Sequence, residues 1–317
     1  MGEEVRSVAR ESDGLAVSFV GASAPFDRAV VRGGGRIVPL GSETQALVWN
    51  APHDPVRLRA AMARLPRLSW VQLPSAGVDD LYAAGIFADS SVEWTGAQGS
   101  YARPVAEHAL ALMLATLRRF PERIRAESWA GEFGRSLYGL RVVIVGAGGI
   151  TQELLRLLAP FEVRTTVIRR DRAPLPGADR TMTASELHAA LANADVLVLA
   201  APLTPQTRGL IDASALAVLP EHAVLINVAR GGLVDTDALV AALRSGALSG
   251  AGLDVTDPEP LPDGHALWTL PTVIVTPHTA DTPDMVVPLL AARIEENVRR
   301  RIAGEALLGR VDPDLGY

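Results

Sequence analysis

The stretch Val142-Val143-Ile144-Val145-Gly146-Ala147-Gly148-Gly149-Ile150-Thr151-Gln152-Glu153-Leu154-Leu155 decides the fold of this chain. Four β-branched residues predict a buried strand, the glycines predict a tight turn, and the residues after Gly149 predict a helix. In such a unit the backbone approaches its ligand closely, and the N–H groups of the helix start face a pyrophosphate. A plain turn is the alternative, but the strand and helix that flank it favour a dinucleotide.

The glycine pattern is incomplete. Thr151 stands where a third glycine or alanine is expected for close packing of helix on strand, so we expect the helix to lie slightly outward. The predicted phosphate-facing residues are those of the turn itself: Gly146, Ala147, Gly148, Gly149 and Ile150.

Composition narrows the class of protein. The 317 residues indicate two domains, and the net charge of −6 offers no basic surface for nucleic acid. The absence of cysteine excludes thiolate catalysis and cysteine metal sites, and no cluster has metal-ligand spacing. No apolar run reaches membrane length, and no apolar leader follows Met1. We therefore expect a cytoplasmic protein with no membrane or nucleic-acid partner and no metal.

Strands alternate with helices along most of the chain, which predicts parallel sheets. In the first part we predict strands over 16–20, 46–49 and 68–73 and a helix over 57–65. A helix over 104–120 leads to a second part, with strands predicted over 142–145, 165–168, 196–200, 224–227, 250–255 and 272–275. Its helices are predicted over 152–158, 184–192, 213–218 and 236–245.

The predicted class is α/β, with two doubly wound parallel-sheet domains, one Rossmann-type for the cofactor and one flavodoxin-like for the substrate. We place the substrate domain at 1–98 and the dinucleotide-binding domain at 99–281. A helical C-terminal segment, 282–317, is predicted to return to the substrate domain.

The residues that follow the second strand of the dinucleotide-binding domain, predicted over 165–168, indicate which cofactor binds. An acidic residue there would accept the ribose 2′-OH of NAD, but this chain has Arg169 and Arg170. Guanidinium groups bind a 2′-phosphate through charge-assisted hydrogen bonds. We therefore favour NADP. The alternatives are a solvated basic turn and NAD bound through Asp171.

Three late segments carry residues suited to one reaction, and each follows a predicted strand. They contain Arg230, Glu259 and His278. Each residue alone could be an ordinary surface side chain, but the carboxyl ends of parallel strands meet at the edge where such sheets bind ligands. Histidine can give a proton to a ketone oxygen that receives hydride, and a neighbouring carboxylate favours the imidazolium. Arginine offers a planar fork to a 2-oxo acid.

With these segments the chain resembles the D-isomer-specific 2-hydroxyacid dehydrogenase family, and within it the short glyoxylate/hydroxypyruvate reductases. The resemblance runs from about Ala46 to the C-terminus. It rests on the segments 48–52, 70–79, 105–109, 146–150, 201–207, 227–231, 253–255, 259–262 and 276–278.

The resemblance implies roles residue by residue. It makes Arg230, Glu259 and His278 the catalytic residues. It places the substrate carboxylate at Arg230 and at the segment Ser75, Ala76 and Gly77, with backbone N–H groups of the last two as donors. It adds cofactor-lining residues to those of the glycine turn, namely Pro202, Thr207, Val228, Ala229 and Asp254, the last near the nicotinamide carboxamide.

The resemblance also implies a homodimer that uses the helix over 104–120 and the segment that follows it to Trp129. Trp49 is expected in the core or in the wall of the substrate pocket, and His108 is expected to pack or to cap. The other histidines, His53, His188, His222 and His265, show no convergent partners and are expected in loops or on the surface.

Some positions depart from the family pattern. Gly149 stands where an arginine is frequent, which removes one phosphate contact, and 160–162 lack the usual glycine before the second strand. The predicted reaction is NADPH-dependent reduction of a small 2-oxo acid to the D-2-hydroxy acid. Alternatives are a 3-phosphoglycerate dehydrogenase and a dinucleotide-sensing, corepressor-like protein with little turnover. Formate dehydrogenase is disfavoured because those enzymes pair glutamine, not glutamate, with the histidine.

Overall fold

The computed structural model describes residues 14–21, 24–88, 91–129 and 131–317. The chain divides into two compact units, which we describe separately. The first unit comprises Met1–Ala97 and Val287–Pro313, and the second comprises Gln98–Val286 and Asp314–Tyr317. The start of the predicted substrate domain, residues 1–13, lies outside the described residues.

The first unit is built on a five-stranded parallel sheet with strand order β2-β1-β3-β4-β5. This is the flavodoxin-like order, which confirms the predicted class. Its strands are β1 (Ala16–Val20), β2 (Arg36–Ile37), β3 (Ala46–Trp49), β4 (Trp70–Gln72) and β5 (Glu93–Thr95). Its helices are α1 (Ala24–Arg32), α2 (Pro55–Met62) and α3 (Asp79–Ala83).

The predicted helix over 57–65 begins earlier than its apolar pattern suggests. The Asp54 carboxylate accepts the N–H of Arg57 and caps α2, and Pro55 occupies the first turn. A proline is tolerated there because the N–H it lacks would have no helical partner. Capping therefore sets the start of this helix.

The second unit is built on a seven-stranded parallel sheet with strand order β12-β11-β10-β9-β6-β7-β8. Its strands are β6 (Arg141–Val145), β7 (Arg164–Arg169), β8 (Arg180–Thr183), β9 (Val196–Leu199), β10 (Val224–Asn227), β11 (Gly250–Leu253) and β12 (Val273–Val275). Six of these seven strands are predicted by the sequence. The edge strand β8 is missed because none of its four residues is buried, so it lacks an apolar run.

The helices of the second unit are α4 (Ala102–Leu117), α5 (Phe120–Ile124), α6 (Gly149–Leu158), α7 (Leu187–Leu191), α8 (Ala213–Ala217), α9 (Thr236–Ser245) and α10 (Ala266–Thr269). The predicted helix over 104–120 is broken near its end, because Arg119 is left-handed, with φ of 54°, and separates α4 from α5. Glycines let α4 lie close to β11. A Cβ on Gly252 would be 2.9 Å from Leu112 Cβ.

The last helix, α11 (Pro283–Ala303), matches the predicted helical tail, and from Val287 onward it belongs to the first unit. Asn297 is fully buried in that unit. Its amide donates to Gln72 Oε1 at 3.0 Å and to the Leu308 carbonyl at 3.0 Å, and its oxygen accepts the Leu308 N–H at 2.8 Å. A buried amide with all these partners fixes the helix on the sheet.

Candidate active site

A histidine–glutamate pair lies at the carboxyl edge of the seven-stranded sheet. Glu259 follows β11, His278 follows β12, and His278 Nδ1 lies 2.6 Å from Glu259 Oε1. An ionised carboxylate only accepts, so Nδ1 carries a hydrogen and donates it. Nε2 is therefore the ring atom available for proton exchange with a ligand. The two side chains are 45% and 42% exposed, so a ligand can reach the pair.

The backbone of His278 is left-handed, with φ of 52°. For a residue other than glycine this costs about 1–3 kcal/mol and persists only where the surroundings fix it. Asp254, directly after β11, supplies that constraint. Its carbonyl accepts the His278 N–H at 2.8 Å, and its carboxylate accepts the N–H groups of Thr279 at 2.9 Å and Ala280 at 3.0 Å. Asp254 therefore shapes the loop that presents His278.

The Asp254 carboxylate is itself buried and braced from α4. Thr276 Oγ1 donates to Asp254 Oδ1 at 2.6 Å, and His108 Nε2 lies 2.9 Å from the same hydroxyl. Because that hydroxyl gives its single hydrogen to Asp254, His108 Nε2 must donate to it. Burial raises the pKa of Asp254, but the hydrogen bonds from His108, Thr276 and the backbone outweigh burial and lower the pKa to about 2.

Asp254 is thus an ionised group that is committed to its own loop, and its contact with the nicotinamide carboxamide stays a prediction. His108, expected to pack or to cap, braces that loop through Thr276.

Arg230 lies in the turn after β10. The side chain of Asn227 shapes this turn, because its oxygen accepts the Ala229 N–H at 3.1 Å and its amide donates to the Arg230 carbonyl at 2.9 Å. The next residue must be glycine, since a Cβ on Gly231 would overlap the Thr256 carbonyl. The turn that bears Arg230 therefore lies directly against the segment that leads to Glu259.

Asp281 is a site residue that the sequence interpretation missed. Burial raises its pKa, the charges of His278 and Arg230 lower it, the charge of Asp254 raises it, and the net pKa is raised. The charges of His278 and Arg230 both act on Asp281. The strands β10, β11 and β12, which Arg230, Glu259 and His278 follow, are neighbours in the sheet. The only sequence signal for Asp281 is its position three residues after His278.

The glycine turn after β6 has the form that a dinucleotide requires. Gly146 has φ of 109°, and a Cβ there would collide with the Ala200 carbonyl at the end of β9. A Cβ on Gly148 would meet no described atom within 4 Å, so the space above that residue is open. No side chain in the described part of the chain caps the start of α6. Its first N–H groups can therefore bind phosphate oxygens.

Thr151 is accommodated at the position where a third glycine was expected. It is fully buried, and its hydroxyl donates to the Gly146 carbonyl at 2.9 Å. The close approach is made by Gly149, where a Cβ would lie 3.1 Å from Gly99 Cα and 3.2 Å from Ala102 Cβ. Gly149 therefore packs the start of α6 against the start of α4, not against the strand, and an arginine at this position would be crowded.

The basic residues after the glycine turn lie at the end of β7. Arg169 Nε is 3.3 Å from Asp171 Oδ1, and the Asp171 carboxylate also accepts the Ala173 N–H at 2.9 Å. Asp171 is thus engaged in its own turn. The Arg170 guanidinium lies 5.3 Å from the ring centre of Tyr317, a contact that the sequence did not indicate. Before this strand, Glu162 takes the left-handed conformation, with φ of 52°, in place of the usual glycine.

The other predicted cofactor-lining residues lie in two turns at the same sheet edge. After β9, Thr207 Oγ1 donates to the Pro202 carbonyl at 2.7 Å and accepts the Thr204 N–H at 2.8 Å. After β10, Val228 and Ala229 are buried. Thr207 and Asn227 therefore set the shape of the two turns that are predicted to line the cofactor.

The predicted carboxylate-binding loop, Ser75 to Gly77, belongs to the first unit and follows β4. Ser75 Oγ lies 2.8 Å from the Gly77 carbonyl and 2.8 Å from His53 Nε2, and His53 Nδ1 lies 2.8 Å from Asp80 Oδ1. The expectation that His53 has no convergent partner is therefore wrong. Trp49 is fully buried, so it is a core residue.

His222 also has a partner, because its Nε2 lies 2.9 Å from Asp195 Oδ1. Among the described residues, no cluster of histidine, aspartate or glutamate side chains could hold a metal ion. No helix in the described ranges is both long and apolar enough to cross a membrane.

The second unit matches a known family model. The model for the NAD binding domain of D-isomer specific 2-hydroxyacid dehydrogenases covers residues 110–280. The glyoxylate reductase/hydroxypyruvate reductase of Homo sapiens is 32% identical over 268 residues, which are 80% of this chain and 80% of that protein.

Two further proteins are similar to this chain. The D-3-phosphoglycerate dehydrogenase of Mycobacterium leprae (strain TN) is 35% identical over 80% of this chain, but the chain spans only 49% of that protein. A crystal structure of a D-isomer specific 2-hydroxyacid dehydrogenase from Xanthobacter autotrophicus Py2, in complex with NADPH and MES, is 32% identical. It has a TM-score of 0.81, and the alignment covers 96% of this chain and 100% of that one.

Proposed function

Because the chain belongs to the D-isomer-specific 2-hydroxyacid dehydrogenase family, we propose that it reduces a small 2-oxo acid, of the glyoxylate or hydroxypyruvate type, with NADPH. The product is the D-2-hydroxy acid. The observation that carries this proposal is the 2.6 Å hydrogen bond between His278 Nδ1 and Glu259, which leaves Nε2 as the ring atom available to a ligand. Hydride addition to a carbonyl leaves negative charge on oxygen, and a positioned imidazolium neutralises it.

Each residue then has a chemical task. NADPH, when bound, supplies the hydride. His278 gives its Nε2 proton to the carbonyl oxygen, and Glu259 orients the ring and stabilises its charge. Arg230 offers two parallel N–H donors to the substrate carboxylate and the adjacent carbonyl oxygen. Backbone N–H groups of Ala76 and Gly77 bind the carboxylate.

The cofactor assignment rests on the glycine turn and on β7. The open space above Gly148 and the uncapped start of α6 within the described ranges fit a pyrophosphate. At the end of β7, Arg169 and Arg170 offer positive charge to a 2′-phosphate, and Asp171 is held in its own turn by the Ala173 N–H. Guanidinium groups at this strand end suit a 2′-phosphate better than a ribose hydroxyl, so we favour NADPH over NADH.

A second candidate is oxidation of 3-phosphoglycerate, favoured by the similarity to the mycobacterial dehydrogenase. We rank it lower because that similarity covers about half of the longer protein. A dinucleotide sensor with little turnover is the remaining alternative, and a turnover assay separates it from both enzymes.

We further propose that the protein is a cytoplasmic homodimer. The segment after α4 exposes large apolar side chains that a monomer would leave in water: Ile124 is 80% exposed and Trp129 is fully exposed. Side chains of this type are enriched in subunit interfaces.

The test is a set of initial rates with NADPH and NADH against glyoxylate, hydroxypyruvate, pyruvate and a bulkier 2-oxo acid, with 3-phosphoglycerate and NAD in the reverse direction. We expect the highest kcat/KM for glyoxylate or hydroxypyruvate with NADPH. Dinucleotide binding without turnover on any of these substrates would refute the enzyme assignment, and faster rates with NADH would refute the cofactor assignment.

A further inference from the structure

A chain of hydrogen bonds in the first unit joins three residues that are separate in sequence. Asp80 of α3 contacts His53 Nδ1 at 2.8 Å, and His53 Nε2 contacts Ser75 Oγ at 2.8 Å. Ser75 Oγ in turn lies 2.8 Å from the Gly77 carbonyl. This series of hydrogen bonds therefore ends on the loop to which the proposed function assigns the substrate carboxylate.

The direction of each hydrogen bond follows from the groups involved. A carbonyl oxygen only accepts, so the single hydrogen of the Ser75 hydroxyl goes to Gly77. Ser75 Oγ must then accept from His53 Nε2. The Asp80 carboxylate also only accepts, so His53 Nδ1 donates to it. All these contacts are hydrogen bonds only when both ring nitrogens of His53 carry hydrogen, which is the imidazolium form.

This arrangement resembles the serine–histidine–aspartate order of hydrolases, but its polarity is opposite. A nucleophilic serine gives its hydrogen to the histidine, whereas Ser75 gives it to Gly77 and accepts from His53. The geometry therefore points to a structural task for the Ser75 hydroxyl rather than to an acyl-transfer site.

That task concerns the conformation of the loop. The Ser75 carbonyl accepts the Ala97 N–H at 2.8 Å, and the Ser75 side chain bridges to Gly77, so the loop is held on both sides of Ala76. Among the described residues, the N–H groups of Ala76 and Gly77 donate to no protein acceptor. Two adjacent N–H groups without a protein acceptor can both donate to one anion.

We propose that His53, oriented by Asp80, is a positioning residue that holds the Ser75–Gly77 loop in its carboxylate-binding conformation. This inference rests on the proposed function, since it assigns to His53 a part in the affinity for the 2-oxo acid. His53 touches the loop and not the substrate, so its loss should weaken substrate binding and leave the chemical step nearly unchanged.

Acidic residues adjoin His53. Its side chain is 15% exposed, and Asp80, in contact with it, is 51% exposed. Burial raises the pKa of Asp80, but the hydrogen bond and the charge of His53 outweigh burial, and the net pKa is lowered. Two more carboxylates, Asp54 and Asp79, adjoin these residues in sequence. The arginine of α2 that is nearest to His53 in sequence, Arg57, lies over the Trp49 ring.

The experiment compares His53→Ala, His53→Gln, Ser75→Ala and the double variant His53→Ala/Ser75→Ala with wild type. KM and kcat are measured for glyoxylate with NADPH, and oxalate binding to the protein–NADP complex is measured by calorimetry. Glutamine can still donate to Ser75 Oγ through its amide, so His53→Gln tests rescue. His188→Ala, at an exposed histidine of α7, is the matched control.

We expect His53→Ala to raise KM and the oxalate Kd about tenfold, the loss equivalent to one hydrogen bond to a charged group. Its kcat should stay within about twofold of wild type, and His53→Gln should recover most of the affinity. The double variant should lose about tenfold rather than about a hundredfold, because both substitutions break one chain of hydrogen bonds.

The outcomes separate this inference from the proposed function. If His53→Ala leaves KM and the oxalate Kd unchanged, the inference is overturned. Turnover by the wild-type protein would still uphold the proposed function. If wild type turns over none of the oxo acids, the function fails, and the oxalate Kd values still decide the inference. Oxalate that does not bind wild type, an equal fall of kcat and kcat/KM, or full additivity in the double variant overturns it as well.

Discussion

Replacing Asp254 by asparagine should destabilise the second unit and disable His278 together. In the folded chain the pKa of Asp254 is about 2, against an ordinary value of 3.8, which stabilises the ionised form by about 2 kcal/mol. The substitution removes that contribution. It also turns an amide N–H₂ group toward one of the N–H donors, of Thr279 or Ala280, and an unpaired buried N–H costs about 1–3 kcal/mol. The expected total is about 3–5 kcal/mol.

Urea denaturation measures the stability term. With a slope of about 2–3 kcal/mol per molar for a unit of this size, the midpoint at pH 7 should fall by about 1–2 M. The carboxyl has a lowered pKa in the folded state, so its contribution is complete above pH 3.8 and is lost as pH falls toward 2. The difference between wild type and Asp254→Asn should therefore shrink over that range of pH.

Steady-state kinetics measure the catalytic term. The loop keeps the Asp254 carbonyl but loses a side-chain acceptor for the N–H of Thr279 or Ala280. This loosens the segment that follows His278, and a displacement of about 1 Å at a reacting group can lower kcat about a hundredfold. Asp257→Asn is the control, since Asp257 is 52% exposed and lies 3.8 Å from Arg208. It should change stability by less than about 0.5 kcal/mol. A wild-type midpoint and a wild-type kcat in Asp254→Asn would refute the role of this carboxylate.

Further substitutions test the remaining assignments. His278→Ala should lower kcat about 10²- to 10⁴-fold with an unchanged NADPH Kd in a fluorescence titration; an active variant would exclude it as the acid. Arg230→Ala should raise KM for glyoxylate and lower kcat, each about tenfold or more, and wild-type kinetics would contradict its assignment. Exchanging Arg169 and Arg170 for serine should reduce the preference for NADPH over NADH about tenfold, and an unchanged ratio of kcat/KM values would place the 2′-phosphate elsewhere. Trp129→Ser should shift the mass in light scattering from a dimer toward the 33.5 kDa monomer, whereas a wild-type species of 33.5 kDa would exclude the dimer.

The sequence predicts those parts of the fold that are buried and continuous. The strands β1 and β3 are apolar over most of their length, and their predicted bounds agree with the structure. The strands β2, β5 and β8 are short or lie at sheet edges, and none of them is a fully buried apolar run. Their pairing is decided by neighbouring strands, which no local pattern reports.

Hydrogen-bond partners were harder to predict than site residues. Strand order alone brings the ends of β10, β11 and β12 to one edge, so Arg230, Glu259 and His278 could be proposed from sequence. His108 and Thr276 are 168 residues apart, and His53 and Ser75 are 22 apart. The spacing of these residues in the sequence does not indicate that their side chains point toward each other. For the same reason the close contact of Gly149 with Gly99 and Ala102 was not predicted.

Two buried carboxylates of the second unit show why a residue's chemistry does not by itself reveal its function. Asp195 accepts hydrogen bonds from arginine side chains and a backbone N–H, and Asp254 accepts them from the Thr276 hydroxyl and backbone N–H groups. Each has a strongly lowered pKa despite its burial. Asp195 precedes β9, at the amino edge of the sheet, where its donors Arg135, Arg141 and His222 connect one segment to the next. Asp254 follows β11, at the carboxyl edge, and the segment it holds carries His278. Loss of either carboxylate should destabilise the unit through the same physics, but only loss of Asp254 should also move a proton donor. The strand end at which a buried charge lies therefore decides whether its hydrogen bonds serve stability alone or catalysis as well.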